Sequence, residues 1–94
     1  MKIEYTHQYS EIEGLQSEKT VTYLMETLNE GVKLTVTLMK GKIINKESCV
    51  CRSIDCQRGM NILKFLYENS VEINNWFDVL NNCDVEFNLV WLPL

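Results

Sequence analysis

Hydrophobic and polar residues alternate over the first nine positions. Met1, Ile3, Tyr5, His7 and Tyr9 fall on one side, and Lys2, Glu4, Thr6 and Gln8 on the other. A period of two predicts a strand with one buried face. Glu13-Gly14 and the polar run to Glu18 read as a loop, after which Val21, Tyr23 and Met25 predict a second strand, with Leu24 and Leu28 pointing the other way. Asn29-Glu30-Gly31 is a turn in which Gly31 is expected to supply a positive φ. Val32, Leu34, Val36 and Leu38 then alternate with Lys33, Thr35, Thr37 and Met39 in the clearest strand of the chain, rich in β-branched residues. Lys40-Gly41 is a second tight turn, and a fourth strand runs from Lys42 to about Cys51, its pattern broken by the adjacent Ile43 and Ile44. Connections this short predict an antiparallel meander.

After Ser53 the period changes. Ser53 is a candidate N-cap with Asp55 in the first turn, where the helix dipole favours a negative charge. Cys56, Met60, Leu63 and Tyr67 follow at i, i+4, i+7 and i+11, one face of a helix. Ile62, Phe65 and Leu66 widen that face, so the helix is expected to touch more than the sheet. Ile73, Trp76, Phe77 and Leu80 mark a second, shorter amphipathic helix starting near Asn74 and ended by Asp84. Val85, Phe87, Leu89 and Trp91 alternate again, predicting a fifth strand over 85–92 closed by Pro93.

The order ββββααβ defines an α+β fold: an antiparallel meander of four to five strands with two helices packed on one face. With 94 residues and no linker or repeat, residues 1–94 form one domain. The run from Ser53 to Leu80 resembles the C-terminal half of a family of short uncharacterised proteins from Firmicutes, mainly Clostridia. Asn69 and Val71 match its Asn-x-Val bend, and Asp78 and Val79 its Asp-Val pair. Ile73 and Asn75 stand where that family carries Pro and His. The resemblance implies the fold and the length, and it brings no activity or site residues.

Composition narrows the function classes. Thirteen acids against nine bases leave a net charge of −4, the wrong balance for displacing counterions from phosphates, so no nucleic acid is expected as a partner. No apolar run of ~20 residues is present for a membrane helix. The N-terminal MKIEYTHQYSEIEG lacks the apolar stretch of a signal peptide. A cytoplasmic protein with reduced cysteines is expected, not a disulfide framework.

Three of four cysteines, Cys49, Cys51 and Cys56, lie within eight positions. Zinc sites commonly pair two Cys-x(2–4)-Cys knuckles. Here the spacing is Cys-x-Cys, Cys83 stands apart, and His7 is the single imidazole. A Cys3His site from His7, Cys49, Cys51 and Cys56 would form only if the first and fourth strands lie side by side. A redox role would fall on Cys51 or Cys56, with Arg52 or Arg58 lowering the thiol pKa. Buried reduced thiols are the simpler reading, as is a hydrogen-bonded structural role for His7. No Gly-rich phosphate loop, nucleophile elbow or paired carboxylates occur, so neither catalysis nor a cofactor is expected.

The last segment, LVWLPL, is apolar on both faces: Val90, Leu92 and Leu94 lie opposite the register of Leu89 and Trp91. An edge strand of that kind requires cover. These three residues and Phe65 are the candidate interaction residues. The expected function is a non-catalytic protein-interaction module of the cytoplasm, meeting another protein or its own copy as a homodimer. The alternatives are a thiol- or metal-dependent regulator built on the cysteine cluster, and an acidic inhibitor of a nucleic-acid-binding protein.

Overall fold

The computed structural model describes residues 1–10, 12–14, 18–52, 54–82 and 87–91, with the backbone alone for 82 and 87–91. Five strands, β1 (Lys2–Tyr9), β2 (Lys19–Leu28), β3 (Gly31–Lys40), β4 (Ile43–Arg52) and β5 (Phe87–Trp91), form one antiparallel sheet in the order β1-β2-β3-β4-β5. Helices α1 (Cys56–Glu68) and α2 (Trp76–Asn82) lie between β4 and β5 in sequence. The α+β class and the element order agree with the alternation of periods along the chain, and the meander has five strands.

Registers show how period two sorts the side chains. Tyr23 pairs with Tyr5 and Val36, Met25 with Ile3 and Leu34, and Leu34 in turn with Cys49. These positions share one face, and Val21, Tyr23, Met25, Val32, Leu34, Val36, Cys49 and Cys51 are all buried on it. The other face carries rows such as Lys2–Glu26–Lys33 and Thr6–Thr22–Thr37–Lys46. Alternating charge and Thr–Thr neighbours stabilise such rows.

Both tight hairpins have two-residue loops, Asn29-Glu30 and Gly41-Lys42. Gly31 has the positive φ expected of it, 153°, as the first residue of β3, and it is needed for a second reason: a Cβ there would lie 2.0 Å from the carbonyl oxygen of Cys51. Only a glycine lets the β4 backbone come that close.

Helix α1 packs over β1, β2 and β3. Its N-cap is Asp55 itself, whose carboxylate accepts from the Arg58 N–H at 2.8 Å. The cap thus falls two residues after the expected Ser53, which lies outside the described residues. The buried face is Gly59, Ile62, Leu63 and Leu66, with Met60 and Tyr67 half-buried beside it. Phe65, expected to widen that face, is instead 47% exposed. Gly59 explains the shift: a Cβ at that position would meet Met25 Sδ at 2.8 Å and Val32 at 3.0 Å. The helix comes down onto the sheet at its glycine, and Phe65 is turned outward.

The end of α1 is closed by a backbone motif. Asn69 is the C-cap, and Ser70 has a left-handed φ of 51°. The Val71 N–H bonds the Leu66 carbonyl at 3.0 Å and the Ser70 N–H bonds that of Tyr67 at 3.1 Å. These two bonds satisfy carbonyls that a helix end leaves open, and the buried Val71 and Leu66 supply the apolar contact that accompanies them. The Asn-x-Val bend of the sequence is this reversal. Helix α2 begins at Trp76, later than Asn74, because the Asn75 side chain accepts from the Glu72 N–H at 3.0 Å in the preceding turn. Trp76 and Leu80 are fully buried. The Trp76 indole donates to Glu47 on β4 at 3.1 Å, which sets α2 on the same side of the sheet as α1.

β5 pairs with β4 from Phe87 opposite Cys51 to Trp91 opposite Glu47. The remainder of the expected fifth strand, Val85 and Leu92, and its closing Pro93 lie outside the described residues, as does Asp84.

Leu63 is fully buried at the centre of the α1 face. Leu63→Ala is expected to lower the unfolding free energy by about 2–5 kcal/mol in denaturant titration. A loss within about 0.5 kcal/mol, typical of a surface change, would refute this packing.

Candidate functional site

Alternation along β4 places Cys49 and Cys51 on the helix-covered face, both fully buried. Their sulfurs lie 4.0 Å apart, in hydrogen-bonding contact as free thiols. The Cys49 thiol is pushed above the usual range, first by its hydrogen bond with Cys51 and then by burial. Cys56 opens α1 and is half-buried. The proposed Cys3His arrangement does not form. His7 is on β1 and the thiol pair on β4, with β2 and β3 between them, roughly 14 Å at ordinary strand spacing. Among the described residues no three His, Cys, Asp or Glu side chains converge to hold a metal ion.

His7 is committed to the end of α1. Its Nε2 lies 2.6 Å from the Tyr67 carbonyl oxygen. A carbonyl only accepts, so Nε2 carries the proton. The ring also stacks on that of Tyr67 at 4.1 Å and 12°, while Tyr5 stacks on the same ring at 4.9 Å. One strand further in, the Tyr23 hydroxyl donates to the Val71 carbonyl at 2.7 Å. Its pKa is pushed up to about 12, first by burial and then by the neighbouring Tyr9 and Glu72. Lys19 pairs with Glu72 and lies over the Tyr9 ring. On the opposite face, buried Thr35 and Ser48 hydrogen-bond each other at 2.8 Å. Among the described residues no buried side-chain nitrogen or oxygen lacks a partner.

The expected interaction residues are scattered. Phe65 stands on the outer side of α1. Val90 sits opposite Ser48 in the β4–β5 register, at the sheet edge among the described residues. Leu92 and Leu94 lie outside the described residues. A surface not anticipated from sequence sits at the far end of the sheet. Met39, Ile43 and Ile44 are 44%, 63% and 41% exposed at the tip of the β3–β4 hairpin. Beside the tip opens a recess of about 700 Å³, lined by Glu18, Lys19, Thr20, Met39, Lys40, Gly41 and Ile43. The adjacent Ile43 and Ile44 were the available signal: two neighbouring apolar residues on a strand cannot both face one core.

These features define a small α+β domain, a five-stranded sheet with helices on one face, whose buried polar side chains among the described residues are engaged internally and which exposes apolar side chains on the outer side of α1 and at the β3–β4 hairpin. No family model, curated protein or solved structure matches this chain. No helix among the described residues is long and apolar enough to cross a membrane.

Two measurements follow from this chemistry. In the folded protein Cys49 and Cys51 should react with a thiol reagent only as fast as the domain opens, whereas all four cysteines titrate once it is unfolded. Rapid native labelling of both would overturn their burial. For Tyr23, the folded pKa of about 12 lies above the unfolded value of 10.0. Its contribution is therefore complete below pH 10 and is lost as pH rises through 12. Stability should fall across that interval by up to about 3 kcal/mol more in wild type than in Tyr23→Phe. Identical slopes for the two proteins would contradict it.

Proposed function

We propose that this chain is a non-catalytic protein-interaction module of the cytoplasm that works by surface contact, its simplest form a homodimer. The observation that supports this reading is the exposure of large apolar side chains on a small, otherwise satisfied domain: Phe65 on α1, and Met39, Ile43 and Ile44 on the hairpin. Exposed apolar groups gathered at one place are a feature of contact surfaces. The β5 edge, carrying Val90, belongs to the same reading, because an edge strand offers unpaired backbone groups to another chain. The inward commitment of the chemically capable groups points the same way. His7, Tyr23, Cys49 and Cys51 each hold a neighbouring group in the fold. Within this reading, the likeness to the short clostridial proteins is one of shared scaffold.

Sedimentation equilibrium at tens of micromolar tests it. A mass of two chains is expected, and a single-chain mass at every concentration would remove the homodimer.

A further inference from the structure

The far end of the sheet is polarised in charge. Residues 39–46, MKGKIINK, contain Lys40, Lys42 and Lys46 and no acid, so with the chain at −4 the remaining residues carry −7. Lys40, Lys42 and Lys46 are exposed, and no ion pair among the described residues engages them. Met39 and Ile44 face each other in the register on one side of the hairpin, and Ile43 lies opposite Lys40 on the other. The hairpin tip is thus apolar on both sides and bordered by lysines.

The meander brings a complementary segment to the same end. Thr20 pairs with Met39, so the β1–β2 connection and the β3–β4 turn leave the sheet side by side. That connection carries exposed Glu13 and Glu18, and Ile12 at 47% exposure. Glu18 and Lys40 both line the recess. An acidic and apolar loop therefore stands next to a basic and apolar hairpin.

We infer that this end of the sheet is a self-complementary docking surface whose occupant is a second copy of the chain. A two-fold axis set between loop and hairpin carries the acidic loop of one copy onto the basic hairpin of the other, and does so twice, as an isologous interface requires. Ile12 of each copy then adds its apolar side chain to the contact with the hairpin tip of the other. Opposite charges set the register of the pair, and the apolar side chains provide the burial. The inference rests on the homodimer reading above and adds to it the surface, which is the loop and hairpin end and not the β5 edge.

The test is a charge exchange. One variant carries Lys40→Glu and Lys42→Glu, the other Glu13→Lys and Glu18→Lys. All four positions are exposed, so circular dichroism should match wild type, and thermal melting should fall only by the stabilisation that dimerisation lends the wild type. Each variant alone sets like charges against each other and should weaken self-association by about a hundredfold or more, running as a monomer. Mixed in equal amounts the two should form a heterodimer, because both contacts again pair opposite charges. Val90→Lys should remain dimeric. If both charge variants stay dimeric while Val90→Lys becomes a monomer, the homodimer stands and this surface is wrong. A monomeric wild type that binds phosphatidylserine vesicles through Lys40 and Lys42 would also overturn it, giving the hairpin to an anionic lipid surface.

Discussion

The arrangement of the molecule depends on the turn from Tyr67 to Val71. Helix α1 must stop there, reverse, and release the chain toward α2 and back to β5. Three groups hold the reversal: the left-handed Ser70, the His7 imidazole on the Tyr67 carbonyl, and the Tyr23 hydroxyl on the Val71 carbonyl. The first is local, whereas the other two tie the helix end to β1 and β2 across 60 and 48 residues of sequence. The backbone reversal around Ser70 gives the last helix carbonyls their donors, each costing about 1–3 kcal/mol if left open. Beyond this turn the Asn75 side chain, accepting from the Glu72 N–H, sets where α2 begins, and the Trp76 indole donates to Glu47 on β4.

This corner also explains why chemically capable residues act as scaffold. A histidine and a tyrosine in a half-buried aromatic stack suggest a catalytic site when read singly. Together they tie one helix end to the sheet, and the Tyr67 carbonyl accepts from both His7 and the Ser70 N–H. The thiol pair is comparable. Cys49 and Cys51 are small enough to lie side by side beneath the helices, opposite Leu34 and Val32, where larger side chains would overpack.

The sheet was legible because period two is a direct consequence of pleating, and β3 carries it cleanly from Val32 to Leu38. The helices were legible as apolar stripes, but their rotation was not. Apolar spacing alone admitted Phe65 to the buried face; the decisive residue was Gly59, whose missing side chain sets the line of closest approach. Sequence spacing likewise left the distance between His7 and the cysteines open, because that distance depends on strand order and not on strand pattern. The exposed hairpin tip was visible only as a fault, the adjacent Ile43 and Ile44. Its meaning needed the register, which shows Leu38 and Glu47 as half-buried and every residue from Met39 to Lys46 as exposed.

That boundary separates two demands on the chain. Up to Leu38 and from Glu47 onward, β3 and β4 lie under or beside the helices, and substitution there is constrained by packing. Between them the hairpin continues past the core with its pairing intact, from Leu38 opposite Asn45 to Lys40 opposite Ile43. A domain of this size has little stability to lose, and a shorter turn at Leu38 would expose less apolar surface. The extension adds three exposed apolar side chains and three lysines to an acidic protein, next to a loop of opposite character. Folding gains little from any of these groups where they stand, because side chains left in water contribute little to the core.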